Sequence, residues 1–241
     1  MHPAVKRFLM LRRAPLMIVL LFAVGTAIIT MVKQKAVPAA ALQTQQPLLI
    51  IDAGHGGLDG GAVSAAGVQE SRINLSIAQK LFDLCRFLGS GCEMTRTEEA
   101  LDYPPEADSI RAKKQWDLQR RAAQANAAPA AVLISIHQNL YPDARPSGTQ
   151  VLYAETAGSE ELATLTHENL RLALCPESRR VAVPASDSIY LLKHVNCPAI
   201  IAECGFLSNP GEAAKLLSHE YQAEIAVILC ASYLQYLSPT I

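Results

Sequence analysis

The sequence has no surplus of either charge. Its 21 Lys and Arg stand against 22 Asp and Glu in 241 residues, a formal net charge of -1. A nucleic-acid-binding domain calls for a basic face and a high pI, so this balance argues against that class. There is no C-x-x-C pair either. The six cysteines (Cys85, Cys92, Cys175, Cys197, Cys204 and Cys230) lack the spacing of a structural zinc site. No internal repeat and no second domain shows beyond residue 47, so 48–241 reads as one domain of ordinary size.

Charge is also missing from a long run near the start. Ala14 to Val32 is apolar and uncharged, close to the ~20 residues that cross a bilayer as a helix. Residues 1–13 carry His2, Lys6, Arg7, Arg12 and Arg13, and such a basic cluster stays cytoplasmic. The expectation is a single-pass anchor at 14–32, a tether at 33–47 rich in Ala, Gln and Pro, and an extracytoplasmic domain. A signal peptide cleaved near Ala39-Ala40-Ala41, giving a secreted protein, stays open as the alternative. Against it, the run exceeds the usual ~7–15 residue apolar region of such peptides, and Lys33 and Lys35 follow it. Outside the cytoplasm disulfides are permitted, and Cys85 with Cys92 is one candidate pair. Cys197, Cys204 and Cys230 lie in apolar segments and read as buried thiols.

The soluble part opens on its most informative stretch, Leu48-Leu49-Ile50-Ile51-Asp52-Ala53-Gly54-His55-Gly56-Gly57. An apolar run with β-branched residues reads as a buried strand, and the glycines after it allow a sharp turn. A Gly- and Ala-rich loop then leads to an amphipathic helix from about Gln69 to Leu88, with Glu70 in its first turn and Gly89 after it. Cys92 to Arg96 reads as a short strand. Ser109 caps a predicted helix over 110–127, whose Arg111, Lys113, Lys114, Arg120 and Arg121 read mostly as a solvated face. Val132 to Asn139 is a third strand ending in His137, and Gly148 to Tyr153 a fourth. A helix over 160–174 follows, then a strand from Pro198 that ends in Glu203 and a Gly turn, then an apolar helix over 220–237 expected to pack on the sheet. Strands alternating with helices predict an α/β fold: a three-layer, mainly parallel sheet flanked by helices.

In a parallel sheet the C-terminal strand ends share one edge with the N-termini of the following helices. His55, His137, Glu203 and Glu70 should therefore converge, in the region where open α/β sheets bind ligands. Two imidazoles and one carboxylate are a common ligand set for catalytic zinc, with a position left for water. The second carboxylate is then free to act as general base. Each residue alone has a plainer reading, since an acid in a first helical turn favours the helix dipole. Asp52 is a candidate to orient His55 or to cap the turn. Asn139 is a candidate contact to substrate or to the His137 loop. His194, His167 and His219 read as surface or solvated.

These residues also resemble a known family. Ile-Asp-Ala-Gly-His-Gly-Gly at 51–57, Glu70 before Ile73-Asn74-Leu75, Thr95-Arg96, Arg121 five before Asn126, Ser-Ile-His-Gln-Asn at 135–139, Gly-Thr-Gln-Val at 148–151 and Glu-Cys-Gly-Phe-Leu-Ser-Asn at 203–209 stand in the order seen in zinc-dependent N-acetylmuramoyl-L-alanine amidases, the amidase-3 family. The resemblance spans 48–237. It implies Zn2+ held by His55, Glu70 and His137, with Glu203 as the catalytic carboxylate, and peptidoglycan as substrate. The bond cut would join the lactyl group of N-acetylmuramic acid to L-alanine. Arg121 and Asn126 match family positions and read mainly as structural. Ala53 stands where many relatives have Pro, and Gln138 where Ala or Leu is usual; neither change removes a ligand. Ser109 to Leu118 and Ile189 to His194 look most like the sporulation and germination branch, the CwlD-like enzymes, which help make muramic-δ-lactam in spore cortex. The resemblance leaves open an accessory protein needed for activity. Two other readings stay in view: a catalytically silent wall-binding scaffold, and a zinc peptidase or deacetylase acting on wall fragments.

Overall fold

The computed structural model describes residues 47–238. The expected cytoplasmic segment, the anchor at 14–32 and most of the tether lie outside the described residues. Among those described, no helix is long and apolar enough to cross a membrane.

The chain runs β1 (Leu48–Ala53), α1 (Glu70–Phe87), β2 (Cys92–Met94), α2 (Ile110–Ala127), β3 (Ala131–Asn139), β4 (Gln150–Tyr153), α3 (Ser159–Leu174), β5 (Val183–Pro184), α4 (Tyr190–His194), β6 (Ala199–Phe206), α5 (Pro210–Leu216) and α6 (His219–Leu237). One six-stranded mixed sheet has the order β2-β1-β3-β6-β4-β5. The first four strands in that order, β2, β1, β3 and β6, are parallel, while β4 runs antiparallel to β6 and takes β5 alongside it.

Strand alternation sends successive side chains to opposite faces. Leu49, Ile51, Ile134 and Ile200 join α1, α3 and α6 in one core, while Ile50, Leu133 and Ile201 join α2 and α4 in a second. Both sheet faces are thus covered, which is why the central strands read as unbroken apolar runs. The last helix lies beside α1 and α3 in a helical layer rather than directly on the strands. Ser109 caps α2 by accepting from Ala112 N at 3.2 Å, as its position predicts.

Three short elements had no counterpart in the sequence reading: β5, α4 and α5. α5 carries a legible start, since Asn209 accepts from Gly211 N and Glu212 N and Pro210 follows it. All six cysteines are free thiols. Cys85 lies against Cys230, with Sγ atoms 3.6 Å apart, instead of bonding to Cys92. His167 is buried, with Nε2 2.8 Å from the Arg180 carbonyl, where the sequence suggested a solvated residue; His219 and His194 are exposed.

Candidate metal centre

Four devices build the site at the C-terminal edge of the parallel strands. The first is the turn after β1. His55 takes a left-handed backbone with φ 59°, a conformation unusual for a residue with a side chain. Gly56 follows at φ 128°, and a Cβ there would stand 2.7 Å from Arg96 Nε. That arginine staples the turn from below. Nε donates to the Ala53 carbonyl at 2.9 Å, and Nη2 donates to the Gly54 and Ser71 carbonyls at 3.2 and 2.7 Å. The end of β1 and the start of α1 are thereby fixed to each other.

The second device is Glu70, the first residue of α1 and only 3% exposed. Its carboxylate accepts from Ala62 N at 2.9 Å, Gln138 N at 3.0 Å and Asn74 Nδ2 at 3.2 Å. The remaining partners are the two imidazoles: His137 Nδ1 at 3.1 Å from Oε1 and His55 Nε2 at 3.3 Å from Oε2. Burial pushes this carboxyl upward, but His137 and His55 outweigh it and hold the group far below the usual carboxylate range.

His137 comes from the C-terminal end of β3, where strand alternation puts it on the α2 face with Ala131 and Leu133. Gly54 makes room for it, because a Cβ on residue 54 would overlap the imidazole. The fourth device is Glu203, the register partner of His137 on β6. Its Oε2 is buried without a hydrogen-bond partner, and burial pushes its carboxyl upward despite the opposing pull of His137 and His55. A raised, unpartnered carboxyl beside two imidazoles suits proton transfer.

The donor set fits a metal. One ligand atom from each of His55, Glu70 and His137 lies within 4.8 Å of the others. The 3.1 and 3.3 Å imidazole–carboxylate separations are close to the ~3.4 Å between ligands that share a tetrahedral zinc at ~2.1 Å each. Burial lowers the affinity of His55 for a proton, but Asp59 and Glu70 outweigh it and push its pKa to about 9. The cluster therefore favours a positive charge at its centre, carried by a proton or by a cation.

The sequence candidates divide clearly. His55, Glu70, His137 and Glu203 are brought to one edge. Asp52 does not touch the His55 ring, contrary to the orienting role considered for it. It is buried and accepts from Thr95 Oγ1 at 2.6 Å, Ser135 Oγ at 2.5 Å and Arg121 Nη1 at 2.8 Å. Burial alone would raise its pKa, yet Arg121 and the two hydroxyls hold it at about 2. Arg121 is not on a solvated face. It is 2% exposed, pairs with Asp117 and Asp52, and donates to the Ala53 and His55 carbonyls. Asn126 ties the His194 carbonyl and Asn196 N, both at 2.8 Å, so its role is in the loop before β6. Asn139 stands half-buried beyond an irregularity in the β3–β6 register, its carbonyl accepting from Leu207 N.

The residue that does hold His55 is Asp59, which the sequence reading passed over. Its Oδ2 lies 3.1 Å from His55 Nδ1, and Lys114 Nζ lies 2.9 Å from Oδ1. Its place two residues after the Gly56-Gly57 pair made it look like an ordinary turn acid. A cavity of about 220 Å³ opens beside the imidazoles, walled by Leu118, Ile189, Tyr190 and Ile201, with Lys114 at its lining.

Residues 49–232 match the Amidase_3 family, described as N-acetylmuramoyl-L-alanine amidase. The chain is 33% identical over 190 residues to the germination-specific N-acetylmuramoyl-L-alanine amidase of Bacillus subtilis, covering 78% of this chain and 79% of that one. Its fold matches the CwlD amidase of Clostridioides difficile, solved in complex with the GerS lipoprotein, with a TM-score of 0.76 and 33% identity over 81% of this chain and 100% of that one. An N-acetylmuramoyl-L-alanine amidase of Clostridium difficile 630 matches with a TM-score of 0.68 and 29% identity, over 81% and 98% of the two chains. The chain therefore belongs to the Amidase_3 family and is an N-acetylmuramoyl-L-alanine amidase, a hydrolase of peptidoglycan.

Proposed function

We propose that the chain is a zinc-dependent amidase of the spore cortex, cutting between the lactyl group of N-acetylmuramic acid and the L-alanine of the stem peptide. The observation that carries this is the convergence of His55, Glu70 and His137 beside Glu203. His55, Glu70 and His137 would hold the ion. When bound, zinc polarises the amide carbonyl and makes water acidic enough to ionise near neutrality. Glu203 takes the proton from the attacking water and delivers it to the departing amide nitrogen. Burial raises its proton affinity, which favours its taking up the water's proton. The products are a lactyl carboxylate and a peptide with a free amino terminus.

Support for the spore role comes from the relatives, one named germination-specific and one a CwlD amidase. The reading includes a part in forming the muramic-lactam of the cortex. We also assign the catalytic domain to the extracytoplasmic side, which in a sporulating cell includes the space between the forespore membranes. There it is held by the apolar run at 14–32 and assisted by a lipoprotein partner of the kind seen with the CwlD amidase.

The test uses the full chain, zinc-loaded, on purified peptidoglycan, with products read by mass spectrometry. Peptides beginning with free L-alanine, abolished by a chelator and restored by zinc, support the reading. Chelator-insensitive cleavage, or peptides released at another bond, would contradict it.

A further inference from the structure

His55 is held at both ring nitrogens. Nε2 faces Glu70 at 3.3 Å, and Nδ1 faces Asp59 Oδ2 at 3.1 Å. About a quarter of its side-chain surface meets solvent, so water competes for any nitrogen that the protein leaves free. Asp59 is itself fixed twice. Its backbone pairs reciprocally with Gly56, N to O distances being 2.7 and 3.0 Å, and its second carboxylate oxygen accepts from Lys114 Nζ at 2.9 Å. Lys114 projects from α2, and Arg121 of the same helix donates to the His55 carbonyl. One helix thus grips the ligand residue at its backbone directly and at its ring through Asp59.

We propose that Asp59 and Lys114 are positioning residues for zinc binding. Asp59 accepts the Nδ1 hydrogen of His55, which selects the tautomer whose Nε2 lone pair points at the metal position, and Lys114 keeps the Asp59 carboxylate turned to that task. Such an outer partner fixes ring orientation and raises ligand basicity. The need is greater here than for an ordinary ligand, because His55 sits on a turn with positive φ and no regular ladder holds its ring. The inference rests on the zinc reading above.

The test is zinc affinity of the full chain, measured by competition with a chelating dye, for wild type, Asp59→Asn, Asp59→Ala and Lys114→Met. Asp59→Ala should weaken zinc by about 10- to 100-fold, the range found when such partners are removed. Asp59→Asn should fall between it and wild type, since an amide oxygen still accepts the Nδ1 hydrogen without the charge. Lys114→Met should lose less, up to about fivefold, as expected for a half-exposed ion pair. Cobalt loaded in place of zinc gives a second readout, and its visible absorption should shift in Asp59→Ala, where ring orientation changes. If Asp59→Ala does not fold, the nearly isosteric Asp59→Asn carries the comparison. Wild-type affinity and an unchanged cobalt spectrum in the Asp59 variants overturn the inference alone. A wild-type chain that takes up no zinc overturns the metal reading and this inference with it.

Discussion

His137 and Glu203 stand at matched positions on neighbouring parallel strands, β3 and β6, and project to the same face of the sheet. One register therefore sets the proposed metal ligand beside the proposed proton carrier, with no loop between them to adjust the distance. Glu203→Gln should leave zinc content unchanged and lower turnover by at least ~10²-fold, the usual scale of general acid–base catalysis. Metal analysis and a peptide-release assay on the same sample check both halves.

Gly54 is small for the sake of His137. A methyl group at residue 54 would overlap the imidazole, and the strand end cannot yield because Arg96 Nη2 and Asn74 Nδ2 both donate to the Gly54 carbonyl. Gly54→Ala should fold, show native far-UV circular dichroism, and bind zinc at least ~10-fold more weakly, since a ligand displaced by even an ångström leaves the coordination sphere. Dye competition measures the loss.

Arg121 is the buried cation between two buried carboxylates, 2.8 Å from Asp52 Oδ1 and 2.6 Å from Asp117 Oδ2. Removing one member of a buried ion pair leaves an uncompensated charge, and the cost is about 3–5 kcal/mol. Arg121→Ala should lose that much stability in urea unfolding. Arg121→Lys should recover only part, because a single ammonium cannot replace a guanidinium that serves two carboxylates and two carbonyls.

The same pair gives a pH dependence of known sign. Asp52 has a folded pKa near 2, below its ordinary value of 3.8. Its stabilisation is therefore complete above about pH 4 and is lost as the pH falls towards 2. The difference amounts to about 2 kcal/mol. Unfolding free energies measured between pH 5 and pH 2 should fall less steeply in Asp52→Asn than in wild type. Parallel slopes would remove Asp52 from the acid sensitivity.

Much of this was legible before any coordinates. The convergence of His55, Glu70, His137 and Glu203 follows from the order of elements alone, because strand ends and helix starts in a parallel sheet must share an edge. The positions of α1, α2 and β3 followed from apolar spacing, Gly89 and the Ser109 cap. What stayed hidden depended on tertiary neighbours. Arg121 sits on a helix rich in charge, and only the packing of Asp117, Ala122 and Ala125 against the sheet shows that its face is inward. The i,i+4 spacing of Asp117 and Arg121, alongside those two alanines, was the available hint. Asp59 gave no hint, since an acid after two glycines suits any turn. Its role exists only because the Gly56–Asp59 bridge folds it back onto His55. Thr95-Arg96, a weak pair of letters in isolation, became a central staple for the same reason: Arg96 collects carbonyls from β1 and α1, segments far from it in sequence.

The central claim is that one ion is held by His55, Glu70 and His137. Its most direct test is elemental analysis of the full chain, purified from zinc-supplemented cells, as wild type and as His137→Ala. The account predicts about one zinc per wild-type chain and only a trace in His137→Ala, because a three-ligand protein site that loses one ligand no longer holds its metal. A His137→Ala chain that keeps its full zinc, remains folded and still releases peptide would contradict it.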